Sequence, residues 1–127
     1  MAGDTARASD TPLAVFVCLK TLQNRPDFLR ASRARRHATP GFVLQALDRQ
    51  DDDPSTRIGY TCSKKVGNAV ARNRAKRRLR AIAAEVLPKA ARPGWDYVLI
   101  GRAGSTADLP YATLCDDLIR ALSKLHK

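Results

Sequence analysis

Three kinds of side chain in this sequence could do chemistry, and they are unevenly equipped for it. The carboxylates include Asp51-Asp52-Asp53, a run of the type that can hold Mg²⁺ in nucleases. These acids stand directly before Pro54, between two strand candidates, without helix- or strand-borne partners to hold two metals at a fixed separation. They read as a solvated hairpin loop, and Asp116-Asp117 reads the same way. The thiols Cys18, Cys62 and Cys115 form neither a CxxC pair nor an even set, which points to a reducing, cytoplasmic setting and small apolar roles. His37 and His126 have no companions at ligand spacing. The expectation is no catalytic residue in the chain and no metal held by its side chains.

The cations are different. Between Lys64 and Arg80 there are eight Lys or Arg residues and no acid, in a chain whose net charge is +11. On a helix, Asn68, Ala71, Ala75, Leu79, Ile82 and Val86 recur at three- and four-residue steps and form one small-to-apolar stripe. Asn73, Lys76, Arg77 and Arg80 fall broadly opposite, with Arg74 on a shoulder and Arg72 and Arg78 flanking the stripe. A solvated helix normally mixes Glu with its Lys and Arg. Here the first acid after Asp53 is Glu85, so the repulsion among the cations is offset by nothing nearby. That pattern calls for a partner that supplies the negative charge, a nucleic acid above all.

The elements that must carry these residues follow from pattern. The length of 127 residues suits one domain with a core of its own, and 44% apolar with 28% charged residues is a globular composition. Leu13 to Leu19 is too short to span a membrane and follows an acidic start unlike a signal peptide, so no membrane partner is expected. Residues 1–12 read as a loose tail, and Val15 to Leu22 as an apolar segment of either type. Asn24-Arg25-Pro26-Asp27 reads as a helix start with a capping amide, leading through Phe28, Leu29 and Ala31 into the basic tail Arg30, Arg33, Arg35 and Arg36, broken by Pro40-Gly41. Strands are predicted at Phe42 to Leu47, Thr56 to Ser63 and Trp95 to Gly101. The basic helix starts at Asn68 as cap and ends near Pro88 and Arg92-Pro93-Gly94. Gly104 to Asp108 reads as a loop. Pro110 opens a last helix with Tyr111, Leu114, Cys115, Leu118, Leu122 and Leu125 as its core stripe. The order implies an α+β sandwich of helices on a small sheet.

The segment GYTCSKKVGNAVARNRAKRRLRAI resembles the signature of the bacterial ribonuclease P protein subunit, whose centre is an Arg-Asn-Arg triplet followed by further basic positions. The triplet here is Arg72-Asn73-Arg74, followed by Lys76, Arg77, Arg78 and Arg80. Ser63 to Ala69, Pro26-Asp27-Phe28 and the strand Asp96 to Ile100 also match, so the resemblance covers about residues 22 to 125. It implies a small, mostly antiparallel four-stranded sheet with three helices, like the second domain of ribosomal protein S5, with a left-handed β-α-β crossover around the basic helix. One strand beyond the three predicted is therefore expected. The implied domain is residues 21–127, and residues 1–20 form an extension without an assigned role.

The resemblance also implies a division of labour. The RNA subunit is the catalyst, and Mg²⁺ held by that RNA and by substrate phosphates serves hydrolysis of the phosphodiester that releases the 5′ leader of precursor tRNA. The protein binds the catalytic RNA through Lys64, Lys65, Asn68, Arg72, Asn73, Arg74, Lys76, Arg77 and Arg80. A cleft between the first helix and the sheet takes single-stranded leader, with Phe28 at the family's first aromatic position. Where many relatives have a second Phe stands Ser32, so Tyr60 or Phe42 is considered for the cleft floor, each equally able to be core. Two rival readings are a DNA-binding protein with its basic helix in a major groove and a structural ribosomal protein of related fold.

Overall fold

Asp96 to Leu99 are buried without a break, the pattern of a strand with neighbours on both edges and cover on both faces. In the computed structural model, which describes residues 19–126, that strand is the centre of a five-stranded mixed sheet. The elements are β1 (Leu19–Thr21), α1 (Arg25–Ser32), β2 (Arg35–Ala38), β3 (Phe42–Asp48), β4 (Thr56–Cys62), α2 (Ala69–Ala90), β5 (Trp95–Gly101), α3 (Ser105–Asp108) and α4 (Tyr111–Leu125). The sheet order is β1-β4-β5-β3-β2. The pairs β1–β4 and β4–β5 are parallel, and β3–β5 and β2–β3 are antiparallel. β4, α2 and β5 thus form a β-α-β unit whose strands are neighbours.

Two cores follow from the alternation of side chains along the strands. Phe42, Leu44, Ala46, Ile58, Tyr97 and Leu99 meet Leu79, Ile82 and Val86 of α2 and Leu114, Leu118 and Leu122 of α4 in the larger one. On the opposite face Leu22, Ala31 and Val98 form the smaller one, with Phe28 and Ile100 packed against it.

The α+β class and the packing of helices on a sheet agree with the sequence reading, and several details are corrected. Among the described residues the sheet has five strands and is mixed, not mostly antiparallel with four. Of the basic tail expected on the first helix, Arg30 lies in α1 and Arg33 caps its end, while Arg35 and Arg36 belong to strand β2, because the helix stops at Ser32 and the residues from Arg35 find ladder partners in β3. Pro40-Gly41 is the turn of that hairpin, closed by Thr39 N–H to Phe42 O at 2.8 Å and by Phe42 N–H to Thr39 Oγ1 at 3.1 Å. The segment with Asp51-Asp52-Asp53 is no hairpin: β5 lies between β3 and β4, and the loop crosses its end. Helix α2 passes through Pro88, which forgoes one N–H, and its end is closed by Ala91 N–H to Leu87 O at 2.8 Å. Gly104 to Asp108 contains the single turn α3 beside the three longer helices.

Candidate nucleic-acid interface

The basic helix starts where the backbone can turn sharply. After β4 the chain makes a 3₁₀ turn at Lys64–Val66, and Gly67 takes a φ of 123°, a conformation that favours glycine. Asn68 then caps α2, its side-chain oxygen accepting the Ala71 N–H at 3.0 Å. Ala75, Leu79, Ile82, Ala83, Val86 and Leu87 are buried: the stripe predicted from Ala75 onward gains Ala83 and Leu87, while its first two members fall short, Asn68 exposed and Ala71 half-buried. The approach is close at the N-terminal half. A Cβ at Gly101 of β5 would stand 3.1 Å from Cys62 Sγ and 3.4 Å from Ala75 Cβ.

Docking that stripe leaves Arg72, Asn73, Arg74, Arg77 and Arg80 exposed and Lys76 half-buried, with Lys65 exposed just before the helix. The Lys64 side chain lies outside the described ones. Asn68 is exposed, but its oxygen is engaged in the cap. Among the described residues, none of the ion pairs involves a Lys or Arg of α2. Arg78 is used internally and donates to Ala107 O of α3. Glu85 is turned to α4, where it accepts from Tyr111 Oη at 3.1 Å. The result is an uncompensated row of guanidiniums on a rigid helix, suited to a phosphate backbone.

The second surface lies on the other side of the sheet. Phe28 of α1 is half-buried and sits directly on the backbone of β4, since a Cβ at Gly59 would come within 2.5 Å of Phe28 Cε1. An open hollow of about 460 Å³ is lined there by Phe28, Leu29, Ser32, Tyr60, Val98 and Ile100 among others. Ser32 donates its hydroxyl back to Leu29 O at 2.7 Å, while Leu29, 42% exposed, contributes apolar surface beside it. Tyr60 touches this hollow from the edge, because β1 pairs with β4 only up to Ile58. Its ring packs on the larger core, and the Arg80 guanidinium lies 5.4 Å from its centroid. Burial pushes the Tyr60 phenol above its ordinary pKa, so it stays protonated.

Phe42 does not belong to the cleft. It is fully buried in the larger core, on the opposite face of the sheet from Phe28, because the period of two puts Phe42, Leu44 and Ala46 on the α2–α4 side.

A buried ionic network that pattern reading missed supports the cleft. Asp96, fully buried at the start of β5, accepts from Arg49 Nη1, Arg57 Nε and Arg57 Nη2, each at 2.7 Å. Arg57 Nη1 continues to Asp27 of α1 at 3.3 Å, and Asp27 also pairs with Arg30. Burial opposes the Arg49 charge, but the bonds to Asp96 and Asp51 outweigh it and raise the pKa. The bond to Asp96 raises that of Arg57 despite its burial. Both stay charged at any working pH. Arg49 also donates to Asp53 O at 2.9 Å and Ser55 O at 2.7 Å, ordering the acidic loop. The available signal was an acid inside the apolar strand WDYVLIG, which cannot be buried without a cation. The three loop aspartates are exposed, and among the described residues no three His, Cys, Asp or Glu side chains are placed to hold a metal ion.

Comparison with known proteins agrees with this geometry. The family model Ribonuclease P matches residues 18–126. A ribonuclease P protein component of Ruegeria pomeroyi is 57% identical over 120 residues, covering 91% of this chain and 96% of that one. One from Caulobacter vibrioides is 50% identical over 104 residues, covering 82% and 69%. The solved ribonuclease P protein of Thermotoga maritima superposes with a TM-score of 0.67 at 25% identity, covering 83% of this chain and 96% of that one. That of Staphylococcus aureus gives 0.64 at 26% identity, covering 84% and 97%. With its basic helix, its sheet and nearly its whole described length accounted for by these matches, the chain belongs to the ribonuclease P protein family.

Proposed function

We propose that this chain is the protein subunit of a ribonuclease P ribonucleoprotein, working in the cytoplasm through an RNA-binding domain of residues 21–127. It binds the catalytic RNA subunit with the exposed cations of α2 and grips the 5′ leader of precursor tRNA in the hollow between α1 and the sheet. The RNA is the catalyst in this reading, and hydrolysis depends on Mg²⁺ held by RNA and substrate phosphates. The observation that carries the proposal is the acid-free outer face of α2, set by its apolar stripe on a sheet of the family's fold. On the opposite face of the sheet, Phe28 offers an apolar ring to an extended strand without demanding one sequence.

Reconstitution tests this. Cleavage of a precursor tRNA at low Mg²⁺ by the catalytic RNA should require the chain, and mature tRNA, which has no leader, should gain little affinity from it. Cleavage independent of the chain would defeat the proposal.

A further inference from the structure

A second basic hollow lies at the end of the sheet remote from the start of α2, whose 22 residues span about 33 Å at 1.5 Å per residue. It has a volume of about 570 Å³, within the range of small-ligand sites, and is lined by Arg33, Arg35, Arg92, Trp95, His126 and Asp48 among others. Trp95 opens β5 opposite Asp48, and its half-buried ring is held from two sides. It stacks on Tyr97 with centroids 6.2 Å apart at 16° and leans on His126 at 4.7 Å and 55°.

This aromatic corner is rigid and hydrogen-bonded. Tyr97 Oη accepts the Arg92 N–H at 2.9 Å and shares a hydrogen bond of 2.8 Å with His126 Nε2. Burial, with Arg92 and Arg35 adding to it, lowers the His126 pKa to about 4, so the ring is neutral near pH 7. Arg35 is anchored at the rim, donating to Leu125 O at 2.6 Å. Arg33 and Arg92 are exposed, and neither forms an ion pair with an acid among the described residues. The carboxylate lining the hollow, Asp48, already accepts the Gln50 N–H at 3.1 Å. Three guanidiniums beside an immobilised indole are what an unpaired nucleotide requires: a ring for its base and cations for its phosphates.

We infer that this hollow is a third RNA-binding surface, taking one unpaired nucleotide of a strand with its base on Trp95 and its flanking phosphates on Arg33 and Arg92. The inference rests on the RNA-binding reading above, and concerns a surface separate from both α2 and the Phe28 hollow.

Trp95 is the one tryptophan of the chain, so its emission reports on this site alone. The full chain is titrated with a short single-stranded oligoadenylate, with the same sequence as a duplex, and with AMP. Saturable quenching by the single strand is expected, weaker by duplex and by AMP, and with about tenfold weaker affinity in Arg33→Ala/Arg92→Ala, which corresponds to about 1.4 kcal/mol. Quenching should persist in Arg72→Ala/Arg74→Ala/Arg77→Ala. Equal quenching by duplex, or loss of quenching in that triple variant, would overturn the site. Unchanged emission in a chain that still binds the catalytic RNA sinks this inference and leaves the proposed function standing. Failure to bind any RNA would remove both.

Discussion

Phe28 and Gly59 form one feature from two directions: the ring lies on β4 because β4 has no side chain there. A methyl group in Gly59→Ala would stand 2.5 Å from Cε1 and 2.7 Å from Cζ of Phe28, so the ring must shift outward. The expected outcome is weaker binding of precursor tRNA by the assembled enzyme, by about 1–3 kcal/mol if one base no longer stacks, with catalytic-RNA affinity retained. Equal weakening for precursor and mature tRNA would show that the ring does not meet the leader. At His126 the sign of the pH effect can be worked out. An unfolded imidazole takes its proton near 6.5, and the folded one only at about 4. Protonation therefore favours the unfolded chain between those values. The stability this ring contributes is full above 6.5 and declines as pH falls toward 4. Thermal melts at about pH 7 and about pH 5 should show a larger drop for the parent than for His126→Phe, which keeps a ring without the titration. Parallel drops would mean that burial and the Arg92 and Arg35 charges do not hold the ring neutral.

At the scale of the element, α1 is tied to the sheet by charge as well as by Leu22, Ala31 and Val98. Asp96 holds Arg49 and Arg57, and Arg57 reaches Asp27 on the helix. Removing one member of a buried ion set leaves the others uncompensated. Asp96→Ala should therefore cost about 3–5 kcal/mol in denaturant unfolding, and a loss below about 1 kcal/mol would show the arginines rehydrating freely. Helix α2 has a separate anchor in its cap. Asn68→Ala removes the bond to Ala71 N–H and should cost about 1 kcal/mol, while Asn68→Asp, which keeps an acceptor, should restore most of it. By contrast the Asn24 side chain makes no cap bond: the Asn24 carbonyl takes the Asp27 N–H at 3.1 Å, and Pro26 presets the first turn.

For the whole molecule, the sheet separates the cationic outer face of α2 from the hollow beside Phe28, and a net charge of +11 favours polyanionic partners. Arg72→Ala/Arg74→Ala/Arg77→Ala should leave the melting temperature nearly unchanged, because none of the three is buried. It should weaken catalytic-RNA binding and flatten its salt dependence, by about 0.7–0.9 in the log–log slope for each phosphate no longer neutralised, on values taken from DNA. An unaltered slope would place these arginines in solvent in the complex.

The sequence alone determined what neighbours within a turn or a strand decide. The buried stripe of α2, its cap at Asn68 and the strand Trp95–Gly101 are written in a period of 3.6, in one capping side chain and in a short apolar run, all local. The unopposed cations of α2 were equally legible, because charge balance needs no fold. Tertiary structure decided the rest. Arg35-Arg36-His37-Ala38 has no strand pattern and becomes β2 because β3 offers it a ladder. Leu19–Thr21 is a strand only because β4 lies beside it. Phe28 and Phe42 look alike in sequence but lie on opposite faces of the sheet, one half-exposed and one sealed. Arg49, Arg57, Asp96 and Asp27, like Trp95 and His126, come from segments tens of residues apart. Their partnership exists only once the sheet order β1-β4-β5-β3-β2 has brought those segments to the same end of the molecule.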